Sequence, residues 1–312
     1  MGTIAETELV AFAEELADAA GQVILKYWRQ RGVAVESKKD VGRPVEESPV
    51  TIADRGAEEA MRALIVARYP GHAILGEELG PRGDAATAEY AWVLDPIDGT
   101  KSFITGKPLF GTLIALLYRG APVVGIIDQC VLRERWVGTP RRTTLNGRAV
   151  SARGRDAKKL EDAMVYATTP EMFAPGFELR GWDALRGRVK RALYGCDCYA
   201  YALCASGFVE LVCEADLMPY DYLAVAPVLA GAGAVVTDWA GNPLTYADRD
   251  LHGGRVLAAA NVHLHTAALL ALNAKAPAAP SVSKPTAAFL AGLAVGASLA
   301  AALALALRLR IR

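Results

Sequence analysis

Apolar residues recur at helical spacing from the start of the chain. Leu9, Phe12, Leu16, Ala20, Val23 and Tyr27 fall on one stripe, which predicts an amphipathic helix over residues 8–29. The charged stretch 36–49, punctuated by Pro and Gly, predicts a loop, and 52–68 predicts a second helix opened near Asp54. Two short apolar runs then end in acids. Ala73-Ile74-Leu75 leads into Gly76-Glu77-Glu78, and residues 91–94 lead into Asp95. Over 110–139, apolar runs alternate with turns at Arg119-Gly120-Ala121-Pro122 and near Arg133, the pattern of an antiparallel meander. The first half is therefore predicted to be α+β.

The second half alternates differently. Strands are predicted at 164–167, 192–194, 208–213, 234–238 and 256–259, with helices at 199–206, after Asp221 and at 264–272. Strands interleaved with helices imply a layered α/β arrangement. The chain thus divides into an N-terminal α+β part, 1–152, and a C-terminal α/β part, 153–273, with no internal repeat. An Ala/Pro/Ser/Lys-rich linker follows over 274–286, and then 287–307 carries no charge at all. As a helix this last stretch is about 31 Å long, enough for the hydrocarbon core of a bilayer. The expectation is a C-terminal hydrophobic tail helix inserted in a membrane; the alternative is an Ala-rich helix packed on the body.

Composition changes the picture only when divided by position. The chain has 34 basic and 34 acidic residues and a net charge of zero, which excludes a strongly basic nucleic-acid binder. After Pro280 it carries Lys284, Arg308, Arg310 and Arg312 and no acid, so the remainder bears a net charge of −4. A mildly acidic body is joined to a basic, apolar tail. Five cysteines without a CxxC pair favour a reducing compartment, and the N-terminus shows no charged-then-apolar leader. The expected placement is a cytosolic body tethered by its tail to a membrane that the sequence does not name.

The strongest local chemical signal is Trp92-Val93-Leu94-Asp95-Pro96-Ile97-Asp98-Gly99-Thr100. An apolar strand stops at an acid, and Pro and Gly force a tight turn. Two carboxylates three residues apart then face one point, and Ile97 can offer its backbone carbonyl there. Hard oxygen donors of this kind suit Mg²⁺. The bland alternative is a cap plus a surface acid. Glu77 and Glu78 also follow an apolar strand, and Asp221 follows Pro219-Tyr220 before an apolar helical run, where it can serve as a helix N-cap as well as a ligand.

Taken together, Gly76-Glu77-Glu78, Asp95-Pro96-Ile97-Asp98-Gly99-Thr100 and Tyr220-Asp221-x-x-Ala224 with Gly231-x-Gly233 resemble the inositol monophosphatase superfamily, and Pro49-Val50-Thr51-x-x-Asp54 looks like its upstream motif. The resemblance runs over roughly residues 8–272. It implies a layered α/β/α/β/α sandwich and Mg²⁺-dependent hydrolysis of a phosphomonoester, with two or three ions per site. Carried over by motif, Glu77, Asp95 and the Ile97 carbonyl hold one ion, and Asp95, Asp98 and Asp221 a second. Thr100 with Glu77 orients the attacking water, and Asp54 assists the water network. The backbone amides of Gly99 and Thr100 can also contact phosphate. The family's frequent dimerisation implies a homodimer.

Within the superfamily, residues 101–114 and Gly195-Cys196-Asp197-Cys198-Tyr199-Ala200-Tyr201 look more like histidinol-phosphate phosphatases than inositol enzymes, which tend to carry T-N-F-x-H-G and G-S-A-A there. By position Glu214 matches the acid that contacts the substrate alcohol, Asp197 lies in the phosphate and substrate loop, and Asp221 borders the same site. Acids at the rim suit a substrate bearing an amine and an imidazole. Asp197 reads equally as the N-cap of the 199–206 helix, and Glu214 as a strand-end surface acid. The expected substrate is therefore histidinol phosphate. Inositol phosphate or a related sugar or nucleotide phosphate is the runner-up, and a membrane-tethered non-catalytic scaffold the reading of another class. No nucleic-acid partner is expected.

Overall fold

The computed structural model describes residues 5–30, 35–38, 48–153, 157–247 and 253–274. The first helix, α1 (Glu6–Tyr27), buries Leu9, Phe12, Ala13, Leu16, Ala17, Ala20 and Ile24. Val23 and Tyr27 of the predicted stripe are only partly covered. A two-stranded ribbon, β1 (Val35–Lys38) and β2 (Ser48–Thr51), flanks the predicted loop, and β2 runs straight into α2 (Ile52–Arg68). Charged residues masked these strands in the sequence.

Eight strands form the larger sheet. They are β3 (Ala73–Gly76), β4 (Gly80–Arg82), β5 (Tyr90–Asp98), β6 (Gly111–Tyr118), β7 (Ala121–Gln129), β8 (Glu134–Thr139), β9 (Arg142–Leu145) and β10 (Arg148–Ala149), and a short helix α3 (Thr100–Ile104) follows β5. The order is β10-β9-β8-β7-β6-β5-β3-β4, antiparallel throughout except for the parallel pair β3/β5. The predicted meander is thus present, β6 to β8, continued on one side by the predicted β5 and β3 and ending at the two edges in strands, β4 and β9–β10, too short and polar to announce themselves.

The second sheet is built from β11 (Met164–Ala167), β12 (Arg191–Tyr194), β13 (Leu211–Glu214), β14 (Val235–Thr237) and β15 (Val256–Ala259), in the order β12-β11-β13-β15-β14. Its helices are α4 (Phe177–Arg186), α5 (Tyr199–Ala205), α6 (Pro219–Tyr222), α7 (Val225–Gly231) and α8 (Val262–Leu272). Two details depart from the sequence pattern. Strand β13 begins at Leu211 rather than at 208, because the chain turns at Gly207, whose N–H bonds to Cys204, and leaves Phe208 61% exposed. Helix α4, rich in charge, was not predicted; it docks through Trp182 and Leu185.

Side-chain alternation in the strands explains the layering. Trp92, Leu94, Ile114, Leu116 and Ile126 face α1 and α2. Val93, Leu113, Ala115, Leu117 and Ile127 face the opposite way, onto α5, α7 and the near face of the second sheet, which offers Val212, Val256 and Ala258. The far face of that sheet, Val165, Leu211, Leu257 and Ala259, is closed by α4 and α8. Both faces of both sheets are covered, so central strands read as continuous apolar runs. The result is the expected α/β/α/β/α sandwich. Its mid-layer core is sensitive to truncation: a buried Leu113→Ala removes packing worth about 2–5 kcal/mol.

The described residues up to Ala274 form one compact unit. The expected tail helix at 287–307, and the linker beyond Ala274, lie outside the described residues. Among the described residues no helix is long and apolar enough to cross a membrane.

Candidate active site

The parallel pairing of β3 with β5 brings two acid-bearing strand ends side by side. Gly76 pairs with Leu94, and the Glu77 amide donates to the Leu94 carbonyl at 3.1 Å, so Glu77 lies beside Asp95. Past Asp95 the β5/β6 ladder loses register and recovers only at Asp98, opposite Gly111. Pro96 supplies no N–H there, and the buried Thr112 hydroxyl donates instead to its carbonyl at 2.8 Å. This irregularity lets Asp95 and Asp98 converge. Gly99 follows at φ +88, a left-handed position, and begins the turn into α3. Thr100 opens that helix and donates its hydroxyl to the Ile97 carbonyl at 3.1 Å.

Carboxylate oxygens of Asp95, Asp98 and Asp221 all lie within 4.8 Å of one another. Asp221 comes from the third position of α6, after Pro219 at its start, and accepts the Met218 amide at 2.7 Å. The N-cap alternative is thereby corrected: the side chain reaches back to the cap rather than occupying it. Asp95 is 1% exposed, and its Oδ1 finds no hydrogen-bond partner among the described residues. Burial first, then the charges of Glu77, Asp98 and Asp221, push the Asp95 carboxyl well above the usual carboxylate range. Burial, Asp197 and Asp221 do the same to Asp98, against the opposing Cys198 amide, which donates to Asp98 Oδ2 at 2.5 Å. Clustered like charges, the most buried with an orphaned oxygen, and no basic side chain among them in the described residues are what a bound hard cation would resolve. The donor set, all oxygen, fits a divalent ion such as Mg²⁺.

The other predicted residues surround this cluster. Asp197 takes φ +44 and accepts the Ser102 hydroxyl at 2.9 Å. It packs so closely on Gly99 that an added Cβ there would sit 2.9 Å from its carboxyl carbon. Cys198, not Asp197, occupies the N-cap of α5, so the capping alternative for Asp197 is also corrected. Glu214, at the end of β13, is buried rather than a surface acid. Its Oε1 accepts from the Thr168 amide and hydroxyl at 2.9 and 2.6 Å, and its Oε2 from Tyr201 at 2.8 Å. Burial raises its pKa to about 7 against the lowering effect of Thr168 and Tyr201. Asp54 is buried in the first turn of α2, one turn before Glu58.

Some contacts around these acids carry no sequence signal of their own. Thr168 and Tyr201 hold Glu214, the Cys198 amide holds Asp98, and Glu58 holds the 78–79 amides; Glu58 and Thr168 read as ordinary helix and strand-end residues, and the 195–201 motif that contains Cys198 and Tyr201 does not announce these bonds. Only the close pairing of Glu58 with Gly76 and the 78–79 amides, or of Tyr201 with Glu214, reveals them, and those pairs are long-range.

Residues 5–275 match the model of the inositol monophosphatase family. The chain belongs to that family. Its members are metal-dependent phosphatases, and this protein is accordingly a hydrolase of phosphoric monoesters. The Bifunctional phosphatase IMPL2, chloroplastic, of Arabidopsis thaliana is 54% identical over 76% of this chain and 67% of its own length. A Histidinol-phosphatase of Chlorobaculum parvum is 34% identical over 73% of this chain and 85% of its own. The solved structure of an inositol monophosphatase from Zymomonas mobilis superposes with a TM-score of 0.74 at 38% identity, over 86% of this chain and 99% of that one.

Proposed function

We propose that this phosphatase hydrolyses L-histidinol phosphate to L-histidinol and phosphate, using two or three Mg²⁺ ions. The observation that carries the reading is the ring of carboxylates, Asp197 and Glu214 among them, next to the Asp95–Asp98–Asp221 cluster. When bound, Mg²⁺ neutralises the phosphate and acidifies a water. The chain's own residues do the rest. Glu77, Asp95, Asp98, Asp221 and the Ile97 carbonyl supply the ligands. Thr100 and Glu77 orient the attacking water, and Asp54 steadies the water network. The Gly99 and Thr100 amides receive phosphate oxygens.

Substrate choice follows from charge. Histidinol phosphate presents an ammonium and an imidazole beyond the ester, and Asp197 and Glu214 are the acids beside the cluster whose charge would favour those groups. Relatives named histidinol-phosphatase support the reading. The inositol monophosphatase of Zymomonas mobilis, 38% identical, favours a neutral polyol ester as second candidate. A non-catalytic scaffold is opposed by the intact set of acids. Purified protein with Mg²⁺ and a panel of phosphate esters decides among them by phosphate release. Histidinol phosphate is expected to give the highest kcat/KM. A tenfold or greater preference for inositol phosphate removes this assignment, and no Mg²⁺-dependent turnover on any ester revives the scaffold.

A further inference from the structure

A buried acid one helical turn beyond Asp54 takes no part in the cluster itself. Glu58 on α2 is fully buried, although most glutamates stay in water. Its Oε2 accepts the Glu78 amide at 2.8 Å and its Oε1 the Leu79 amide at 3.1 Å. Arg62, four residues on, bonds Glu58 Oε1 at 2.7 Å and also reaches the Gly80 carbonyl. Gly76 completes the arrangement: a methyl group on it would overlap the Glu58 carboxyl group. The Glu58 carboxylate therefore lies directly over the turn that carries Glu77. On the other side, the Glu77 amide is fixed to Leu94, the neighbour of Asp95.

We propose that Glu58 is a positioning residue for the metal site: with Arg62 it clamps the 76–80 turn from helix α2 and fixes the direction of the Glu77 carboxylate toward Asp95. The inference rests on the reading of Glu77 as a metal ligand. The physical reason is preorganisation. A turn held only by its strand pairing leaves Glu77 free to point to solvent, and each ligand must then be ordered when the ion binds. Two amide bonds to a buried, arginine-paired carboxylate remove that freedom in advance. Only Gly at position 76 leaves room for the carboxylate, which explains that residue without any special backbone angle.

The test compares Glu58→Gln, Gly76→Ala, Arg62→Met and Glu77→Gln with the full chain. Glutamine keeps one acceptor oxygen and turns an amide donor toward the backbone, and Gly76→Ala displaces the carboxylate by contact. Mg²⁺ alone is titrated by calorimetry, and the Mg²⁺ concentration for half-maximal phosphate release is measured separately. Expected for Glu58→Gln and Gly76→Ala is a loss of Mg²⁺ affinity of roughly 10- to 100-fold, the usual range for residues that orient a ligand, with kcat largely recovered at high Mg²⁺. Arg62→Met is expected to lose a few-fold and serves where the others fail to fold. A merely structural role would lower the melting temperature and leave the Mg²⁺ requirement unmoved, and that result in a folded variant overturns the proposal. If Glu77→Gln binds Mg²⁺ as tightly as the wild type, the ligand reading fails and the proposal with it. Weak binding by Glu77→Gln beside unchanged binding by folded Glu58→Gln overturns the proposal alone.

Discussion

Asp95 and Asp128 sit on strands separated only by β6, both buried, and their surroundings are opposite. Asp128 on β7 stands directly across from Arg135 on β8 and receives its Nε at 2.6 Å. Arg135 continues to Asp18 at 2.7 Å and to the Glu14 carbonyl at 3.2 Å, tying the sheet to α1. Burial raises the Asp128 pKa while Arg135 pulls it back. Asp95 has Glu77, Asp98 and Asp221 around it, and no base among the described residues. One buried charge is neutralised from within the chain, where it fastens two layers. The other, on the proposed reading, is left for a cation from solution. The same residue type on the same sheet is structural or chemical according to what faces it.

Replacing Asp95 by Asn is the largest test of that contrast. Turnover is expected to fall by roughly 10³-fold or more, since a lost metal ligand removes several kcal/mol of charge stabilisation. Without Mg²⁺ the melting temperature should hold or rise, because burying a like-charge group with raised pKa disfavours the fold as it ionises. A near wild-type rate would end the assignment of Asp95 to the metal. Asp128→Asn should behave in reverse. It leaves Arg135 without its main partner and costs about 3 kcal/mol by chemical denaturation, below the upper range for buried pairs because a fifth of the Arg135 side chain is exposed. The rate per folded molecule should stay within about twofold. A selective loss of activity there would erase the distinction.

Glu214 is the intermediate case, a buried acid held by neutral donors, and its expected effect is confined to one pH window. Its folded pKa of about 7 lies above the ordinary 4.5, so the fold favours the protonated form. Stability is fully present below about 4.5 and declines as pH rises through about 7. Melting curves of the wild type and Glu214→Gln should diverge in the variant's favour across that window, by up to about 3 kcal/mol, and run parallel outside it. Parallel curves throughout would show that Thr168 and Tyr201 fully offset its burial. In the same window the proposed pairing of Glu214 with the cationic end makes KM for histidinol phosphate fall relative to that for inositol phosphate as Glu214 ionises, and pH-dependent kinetics on both esters check it.

Much of the fold was legible because burial imposes periodicity. The α1 stripe, the meander from β6 to β8 and the strands leading into Gly76 and Asp95 follow from apolar spacing alone, whereas the continuation of β5 to Asp98 does not. The edge strands β4 and β10, the short β9 beside β10, and helix α4 were not legible, since they satisfy backbone groups without a continuous apolar face. Phe208 was misplaced for the same reason: an apolar residue next to a strand pattern is drawn into it unless the turn at Gly207 is known. Among the site residues, Glu77 and Asp95 stood out as acids where an apolar run stops, Asp98 as the second acid of the Pro/Gly turn, and Asp221 as an acid just before an apolar helical run. Glu58 did not, as a single polar residue in a helix reads as surface, and the 195–201 motif did not announce the bond from Tyr201 to Glu214.

The sequence by itself determined the layered class, the family and the list of acids, because local spacing and turn chemistry are written in neighbouring residues. Only the tertiary structure decided that three of those acids share one point, that Asp128 is neutralised by Arg135, and that Glu58 grips the Glu77 turn. These are contacts between elements far apart in the chain. Whether a carboxylate meets a base, an amide or another carboxylate sets its chemistry, and the pairing of strands and helices makes that choice.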